Sequence, residues 1–342
     1  MNQPILTIVV PCYNEEEVLT YTFSQLSGLL KEMINDKIVS NRSKILFVDD
    51  GSKDHTWPII YKESLKNDLV RGLKLSRNVG HQNALLAGLY TAKSASDCLI
   101  SIDADLQDDI EVIKDFVEKF SQGYEVVYGV RNDRSSDSFF KRSTAQGFYK
   151  LMKTMGVDLV YNHADFRLLS KRAVEELERF DEVNMFLRGI VPLIGFKSTS
   201  VYYERKERTA GETKYPLKKM LSFAFDGITS FSVTPIRFVM FVGLTSFFVS
   251  MFFALYFLSL KFFGNTELGW TSLITSIWLI GGLQLIAIGL VGEYIGKIYK
   301  ESKRRPKYIV DIDSFNLPIR EHRNPGSEIT RNNTGVITAK EG

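Results

Sequence analysis

Along the first 130 positions, short apolar runs alternate with longer amphipathic stretches. Residues 5–10, 44–48, 72–75, 98–102 and 125–128 have the length and apolar content of strands, and 16–31, 57–66, 82–93 and 110–122 between them read as helices. Strands alternating with helices of this length predict an α/β domain with a mostly parallel sheet covered by helices. In such sheets ligands bind beyond the carboxyl ends of the strands. Polar clusters stand at those ends: Pro11-Cys12-Tyr13-Asn14-Glu15, Asp49-Asp50-Gly51-Ser52, Ser76-Arg77-Asn78 and Asp103-Ala104-Asp105. Their convergence on one rim predicts a ligand site.

The pattern changes after residue 220. Residues 238–260 and 270–292 are two runs of 23 residues without a charge, each long enough to cross a hydrocarbon core of about 30 Å as a helix. Lys and Arg cluster before the first (Arg205 to Arg237) and after the second (Lys297 to Lys307), with one Lys between them. That asymmetry predicts a hairpin with both termini on the cytoplasmic side of the cell membrane. Leu217, Met220, Leu221, Ala224, Ile228 and Phe231 recur at helical spacing, with Lys218 and Lys219 on other faces, and predict an amphipathic helix at the lipid headgroups. The polar, aperiodic tail from about Asp311 is expected to be disordered. The N-terminus leads straight into a strand-like run, with no secretory signal expected.

Composition narrows the chemistry. The 342 residues are 44% hydrophobic and 24% charged with a net charge of +3, too weakly basic for nucleic acid to be a partner. Twelve of the 24 phenylalanines fall between Phe223 and Phe263, which segregates the chain into two solvents. Cys12 and Cys98 lack metal-type spacing. No G-x-G-x-x-G follows the first strand and no P-loop motif occurs, so a glycine cradle for phosphates is excluded.

The acids carry the remaining signal. In an extended segment Asp103 and Asp105 would point to one side, with Gln107 two residues on, and such hard oxygens suit Mg²⁺ or Mn²⁺. Asp108 and Asp109 are expected to cap the following helix. Asp49 and Asp50 either accept hydrogen bonds from a base or ribose or serve turn chemistry. Asn78-Val79-Gly80 reads as a turn or a donor-sugar rim. His81 and His163 read as ordinary loop or helix-surface positions. Gly281, Gly282, Gly289, Gly292 and Gly296 would allow close helix packing and a homo-oligomer.

Together with Val48-Asp49-Asp50-Gly51-Ser52, Arg77-Asn78-Val79-Gly80 and Asp103-Ala104-Asp105-Leu106-Gln107, the first cluster resembles family 2 glycosyltransferases of the GT-A fold. Ala164-Asp165-Phe166-Arg167, Arg208-x-x-Gly211-x-Thr213-Lys214 and the terminal pair of apolar runs narrow the resemblance to the polyprenyl-phosphate glycosyltransferases, the group of bactoprenol glucosyltransferase and dolichol-phosphate mannose synthase. It implies a catalytic domain at 1–210, a mobile loop and interface helix at 211–235, a transmembrane hairpin at 236–295 and a basic segment with a disordered tail at 296–342. It also implies that Pro11, Tyr13, Glu15 and Asp50, with Asp49 beside them, hold the nucleoside, and that Arg77 lies on the donor rim. Asp103, Asp105 and Gln107 would surround the metal, Arg131 and Arg142 would receive the lipid phosphate, and Arg208 and Lys214 would close over the diphosphate. Thr213 stands where the family has Ser, keeping the hydroxyl. Asp165 would orient the sugar, act as a weak base or pair with Arg167.

The implied reaction is inverting transfer of a hexose from a UDP-sugar, glucose before N-acetylglucosamine, to undecaprenyl phosphate. The acceptor is a dianion near neutral pH and needs no strong base. Its approach to a diphosphate costs about 4 kcal/mol per unit-charge pair at ~4 Å and an effective dielectric of 20, so fixed cations are required. The rivals are a processive polysaccharide synthase, whose extra spans and Q-x-x-R-W motif are not visible, and a non-catalytic nucleotide-sugar or lipid-binding scaffold.

Overall fold

In the computed structural model of the chain, residues 3–131, 163–182, 187–204, 234–262 and 269–316 are described. Strand β1 (Leu6–Cys12) is buried along its whole length, as a central parallel strand requires. Helix α1 (Leu19–Asn35), β2 (Lys44–Asp49), α2 (Thr56–Lys66), β3 (Val70–Leu75), α3 (His81–Ala92), β4 (Cys98–Ser101), α4 (Val112–Ser121) and β5 (Val126–Arg131) follow in the expected alternation. Helix α1 starts three residues later than its periodicity predicts. The Glu15 amide donates to Thr56 Oγ1 at 2.8 Å and the Asn14 amide to Ser52 Oγ at 3.0 Å, which holds 14–18 as a loop against the start of α2.

Five further elements were not predicted as such. They are β6 (His163–Ser170), α5 (Lys171–Glu178), α6 (Leu187–Leu193), β7 (Ser198–Tyr203) and β8 (Val310–Asp313). The sheet order is β7-β5-β6-β4-β1-β2-β3-β8. Strand β1 pairs in parallel with β2 and β4, β2 with β3, and β5 with β7, whereas β6 runs antiparallel to β4 and β5. The carboxyl ends of the strands therefore do not all coincide. The ends of β1 to β5 and β7 share one rim, and β6 brings its amino end, with Asp165, to the same rim. Two apolar layers cover the sheet, one holding Leu26, Leu30, Phe47 and Phe116, the other Leu46, Leu73, Leu85 and Leu177.

The tail expectation is corrected. Residues 310–313 add an antiparallel edge strand beside β3. Ser314 Oγ accepts from the Gly72 amide at 2.8 Å, the Ser76 amide donates to the Ile309 carbonyl at 3.0 Å, and Lys74 pairs with Asp311 at 3.1 Å. The rest of the tail, 317–342, lies outside the described residues.

Both charge-free runs are helical, in α7 (Thr234–Phe262) and α8 (Trp270–Ser302). Some side chains of both helices fall outside the description, and over the described residues alone no helix is long and apolar enough to cross a membrane. The described side chains include exposed Phe238, Phe241, Phe252, Leu285 and Ile288. The proposed interface helix with Lys218 and Lys219, and the site candidates Arg142, Arg208 and Lys214, lie outside the described residues.

Candidate active site

The loops after β1, β2 and β3 are tied together by the second acidic cluster. Gly51 (φ +65°) brings the β2 loop so close to the next one that a Cβ there would lie 2.5 Å from the Arg77 carbonyl carbon. Both Asp50 oxygens are engaged, Oδ1 by the Val79 amide at 2.7 Å and Oδ2 by the Gly80 amide at 2.9 Å. Asp50 thus fixes the 78–80 loop. Asp49 is fully buried; Oδ1 accepts from the Ser52 amide at 3.2 Å while Oδ2 has no hydrogen-bond partner among the described residues. Burial pushes the carboxyl of each up from its ordinary value. An orphaned buried acceptor costs stability unless a ligand donor satisfies it, which makes Asp49 the better nucleoside contact of the pair. Tyr13 is exposed on the same rim, as is Arg77, while Pro11 is buried within β1.

Strand β4 ends at Ser101, and Asp103 to Leu106 form a turn with Leu106 at φ +46° rather than the extended segment expected. Asp103 and Asp105 are half-exposed, whereas Gln107 is buried beneath them. Desolvation at the strand end pushes the Asp103 carboxyl up to about 6, opposed by His81 and reinforced by Asp165, Asp108 and Asp105, although 45% of its side chain remains open. His81 Nε2 lies 3.5 Å from Asp103 Oδ1. It is exposed at the start of α3, the helix-surface position expected of it, and the 78–80 loop brings it beside the acids.

Among the described residues no group of three His, Cys, Asp or Glu side chains is placed to hold a metal. The donor set still fits a hard cation. Two half-exposed carboxylates crowded by other acids can share Mg²⁺ or Mn²⁺ with substrate phosphates and water, as these ions prefer.

Asp108 does not cap α4. It is buried, accepts from Arg131 Nε at 3.0 Å and Nη2 at 2.8 Å, and takes the Tyr203 hydroxyl at 2.7 Å. Arg131, expected to meet a lipid phosphate, is thus bound along one edge, with 29% of its side chain exposed. Asp109 accepts from the Glu111 amide at 3.4 Å, but the helix is capped at Glu111 without a side-chain bond, so Asp109 does not fill the cap role expected of it either.

Asp165 pairs with Arg167 Nη2 at 2.6 Å, as one reading held, and also with Arg188 Nη2 at 3.2 Å. Burial alone would raise its carboxyl, but Arg188, Arg167 and, less strongly, His81 hold it well below the usual carboxylate range. A carboxylate held so low makes a poor base. Arg188 and Tyr203 escaped the sequence reading. A lone cation in the apolar run Leu187 to Leu193 was a signal for Arg188; nothing local marked Tyr203.

Residues 7–178 match glycosyl transferase family 2. The glycosyltransferase YkoT of Bacillus subtilis is 62% identical over 315 residues, covering 92% of this chain and 94% of that protein. The bactoprenol glucosyl transferase of Shigella phage SfV is 40% identical over 307 residues, 89% of this chain and 97% of that protein. Among solved structures, glucosyl-3-phosphoglycerate synthase from Mycobacterium tuberculosis, in complex with Mn²⁺, UDP-glucose and phosphoglyceric acid, is 16% identical with a TM-score of 0.43, covering 66% of this chain and 78% of that one. The chain belongs to glycosyl transferase family 2. It is a glycosyltransferase with an α/β, GT-A-like sheet.

Proposed function

We propose that the enzyme transfers a hexose, glucose in first place and N-acetylglucosamine next, from a UDP-sugar to undecaprenyl phosphate with inversion. One observation carries the lipid acceptor. The 40% identity to a bactoprenol glucosyl transferase extends over 89% of the chain, far beyond the family domain at 7–178 and into α7 and α8.

Asp49 would accept from the nucleoside, with Tyr13 and Glu15 beside it. Asp103 and Asp105 would hold Mg²⁺ or Mn²⁺, which when bound neutralises charge on the departing diphosphate. Asp165, kept ionised by two guanidiniums, would orient sugar hydroxyls rather than take a proton. The acceptor phosphate, already anionic, would be drawn in by Arg131, Arg142, Arg208 and Lys214.

Membrane attachment belongs to the same proposal. Its support is the two charge-free runs of 23 residues and their basic flanks, which favour a multi-pass cell-membrane hairpin with both termini cytoplasmic. The glycines of α8 would meet nothing within 4 Å among the described residues if given a Cβ, which suits packing against a second copy.

The test offers undecaprenyl phosphate and a panel of labelled nucleotide sugars to the detergent-purified enzyme and counts label in the organic phase. Label from UDP-glucose is expected. Donor binding without any lipid product would favour the scaffold instead, and product only from another sugar would move the donor assignment.

A further inference from the structure

We propose that Arg188 binds the phosphate of the acceptor lipid, an assignment that rests on the transfer reaction proposed above. The sheet order places β1, β2 and β3, with Asp49 and Asp50, on one side of the Asp103 turn, and β6 with Asp165 on the other. A donor with its nucleoside at Asp49 and its diphosphate at Asp103 and Asp105 leaves the side over β6 and α6 for the acceptor.

At the rim on that side stand Arg131, Arg167 and Arg188. Arg167 is buried, with 2% of its side chain exposed, and points its Nη2 at Asp165. Arg131 is 29% exposed and gripped by a buried carboxylate. Arg188 is the most open of them, at 40%. Asp165 holds it along one edge of the fork, with Nε 3.3 Å from Oδ1 and Nη2 3.2 Å from Oδ2.

The helix that carries it is also held in place. The Leu187 amide donates to Gln82 Oε1 at 3.4 Å, and Arg167 Nη1 donates to the Leu187 carbonyl at 3.5 Å. The guanidinium therefore meets an anion already oriented, with little side-chain freedom left to lose. A planar fork suits the oxygens of a phosphate monoester better than a point charge does. The ligand class is the monoester phosphate of a prenyl lipid, not the donor diphosphate.

The experiment uses the full chain in detergent micelles and compares wild type with Arg188→Gln and Arg188→Lys. Farnesyl phosphate binding is measured calorimetrically in the presence of UDP, and KM is measured separately for undecaprenyl phosphate and nucleotide sugar. R188Q is expected to weaken farnesyl phosphate binding and raise the acceptor KM by about tenfold, the loss of one charged hydrogen bond, with the donor KM moving less than about twofold. R188K, keeping charge without the fork, is expected to stay within about threefold of wild type in binding yet measurably above it in acceptor KM.

Unchanged acceptor affinity in R188Q overturns the assignment, as does an equal loss of UDP affinity. Should R188Q not fold, R188K decides, and an acceptor KM identical to wild type overturns the assignment. A wild type that binds farnesyl phosphate yet transfers no sugar sinks the transfer reaction and leaves the binding comparison to judge Arg188. A wild type that binds no prenyl phosphate sinks both.

Discussion

Arg131 and Asp108 form a two-pronged ion pair, 3.0 Å through Nε and 2.8 Å through Nη2, at the junction of β5 with the loop before α4. The carboxylate is buried and also holds the Tyr203 hydroxyl at the end of β7. Removing Asp108 leaves the part-buried Arg131 guanidinium and the Tyr203 hydroxyl without their shared acceptor. Asp108→Ala is expected to destabilise the fold by about 3 kcal/mol, read as a shift in the urea midpoint of the micelle-bound protein. A midpoint unchanged within error would mean that the pair does not tie the two elements together.

Gly51 offers a cleaner probe of the donor rim. Its φ of +65° is strained for any side chain, and a Cβ would run into Arg77 and Asn78 backbone atoms, which cannot swing aside. Gly51→Ala should push the 76–80 loop outward and weaken UDP binding by about tenfold or more, since displacement of a rigid loop typically costs a few kcal/mol. Calorimetry with UDP measures it directly. Tight UDP binding in a folded G51A protein would show that the loop contributes nothing to the donor pocket.

Chelation and Asp105→Asn address the cation. Asp103 and Asp105 are the half-exposed acids of the β4 turn; desolvation and, after it, the neighbouring acids raise Asp103, and a divalent ion relieves the crowding of like charge. Both treatments are expected to abolish labelled lipid, with Mn²⁺ or Mg²⁺ restoring wild type but not D105N. Undiminished transfer after exhaustive chelation would remove the metal from the reaction.

The Asp165 pair has a pH signature. Its folded carboxyl sits below the unfolded value of about 3.9. Its stabilising contribution is therefore fully present above that value and is lost as pH falls through the folded pKa. The stability difference between wild type and Asp165→Asn should be flat from about pH 8 to pH 5 and shrink below about pH 4. Thermal melts across that range check it, and a gap that widens on acidification would contradict the pairing.

The first five strands and four helices were legible because each follows a local pattern: apolar runs such as 44–48, then amphipathic stretches such as 57–66. The rim acids were legible for the same reason, each standing where a strand stops. What escaped is non-local. Asp108 looked like a helix cap because capping is a short-range preference, and its partners Arg131 and Tyr203 lie 23 and 95 positions away. His81 looked isolated because Asp103 is brought to it only when β4 pairs with β1. That backbone amides donate to both Asp50 oxygens is likewise invisible locally, because Val79 and Gly80 lie 29 and 30 positions away.

The C-terminal strand was illegible on other grounds. Val310 to Asp313 alternates too briefly, and with too many acids, to stand out from a polar tail, so its strand character comes from the β3 edge it covers. Ser314 fixes the register: its Oγ accepts from the Gly72 amide at 2.8 Å and donates to the Gly72 carbonyl at 2.7 Å. Gly72 has no room to compensate, because Trp57 and Ile60 press on the face where a side chain would sit. Ser314→Ala removes the acceptor and leaves a buried amide unsatisfied, a loss of about 1–3 kcal/mol. Because β3 leads directly into the 76–80 turn, the change should also raise amide exchange at residues 72–76, while the β1–β4 ladder on the far side stays protected. Hydrogen exchange by mass spectrometry resolves the two regions. Exchange that rises equally in both would mean that Ser314 supports the whole sheet rather than this edge.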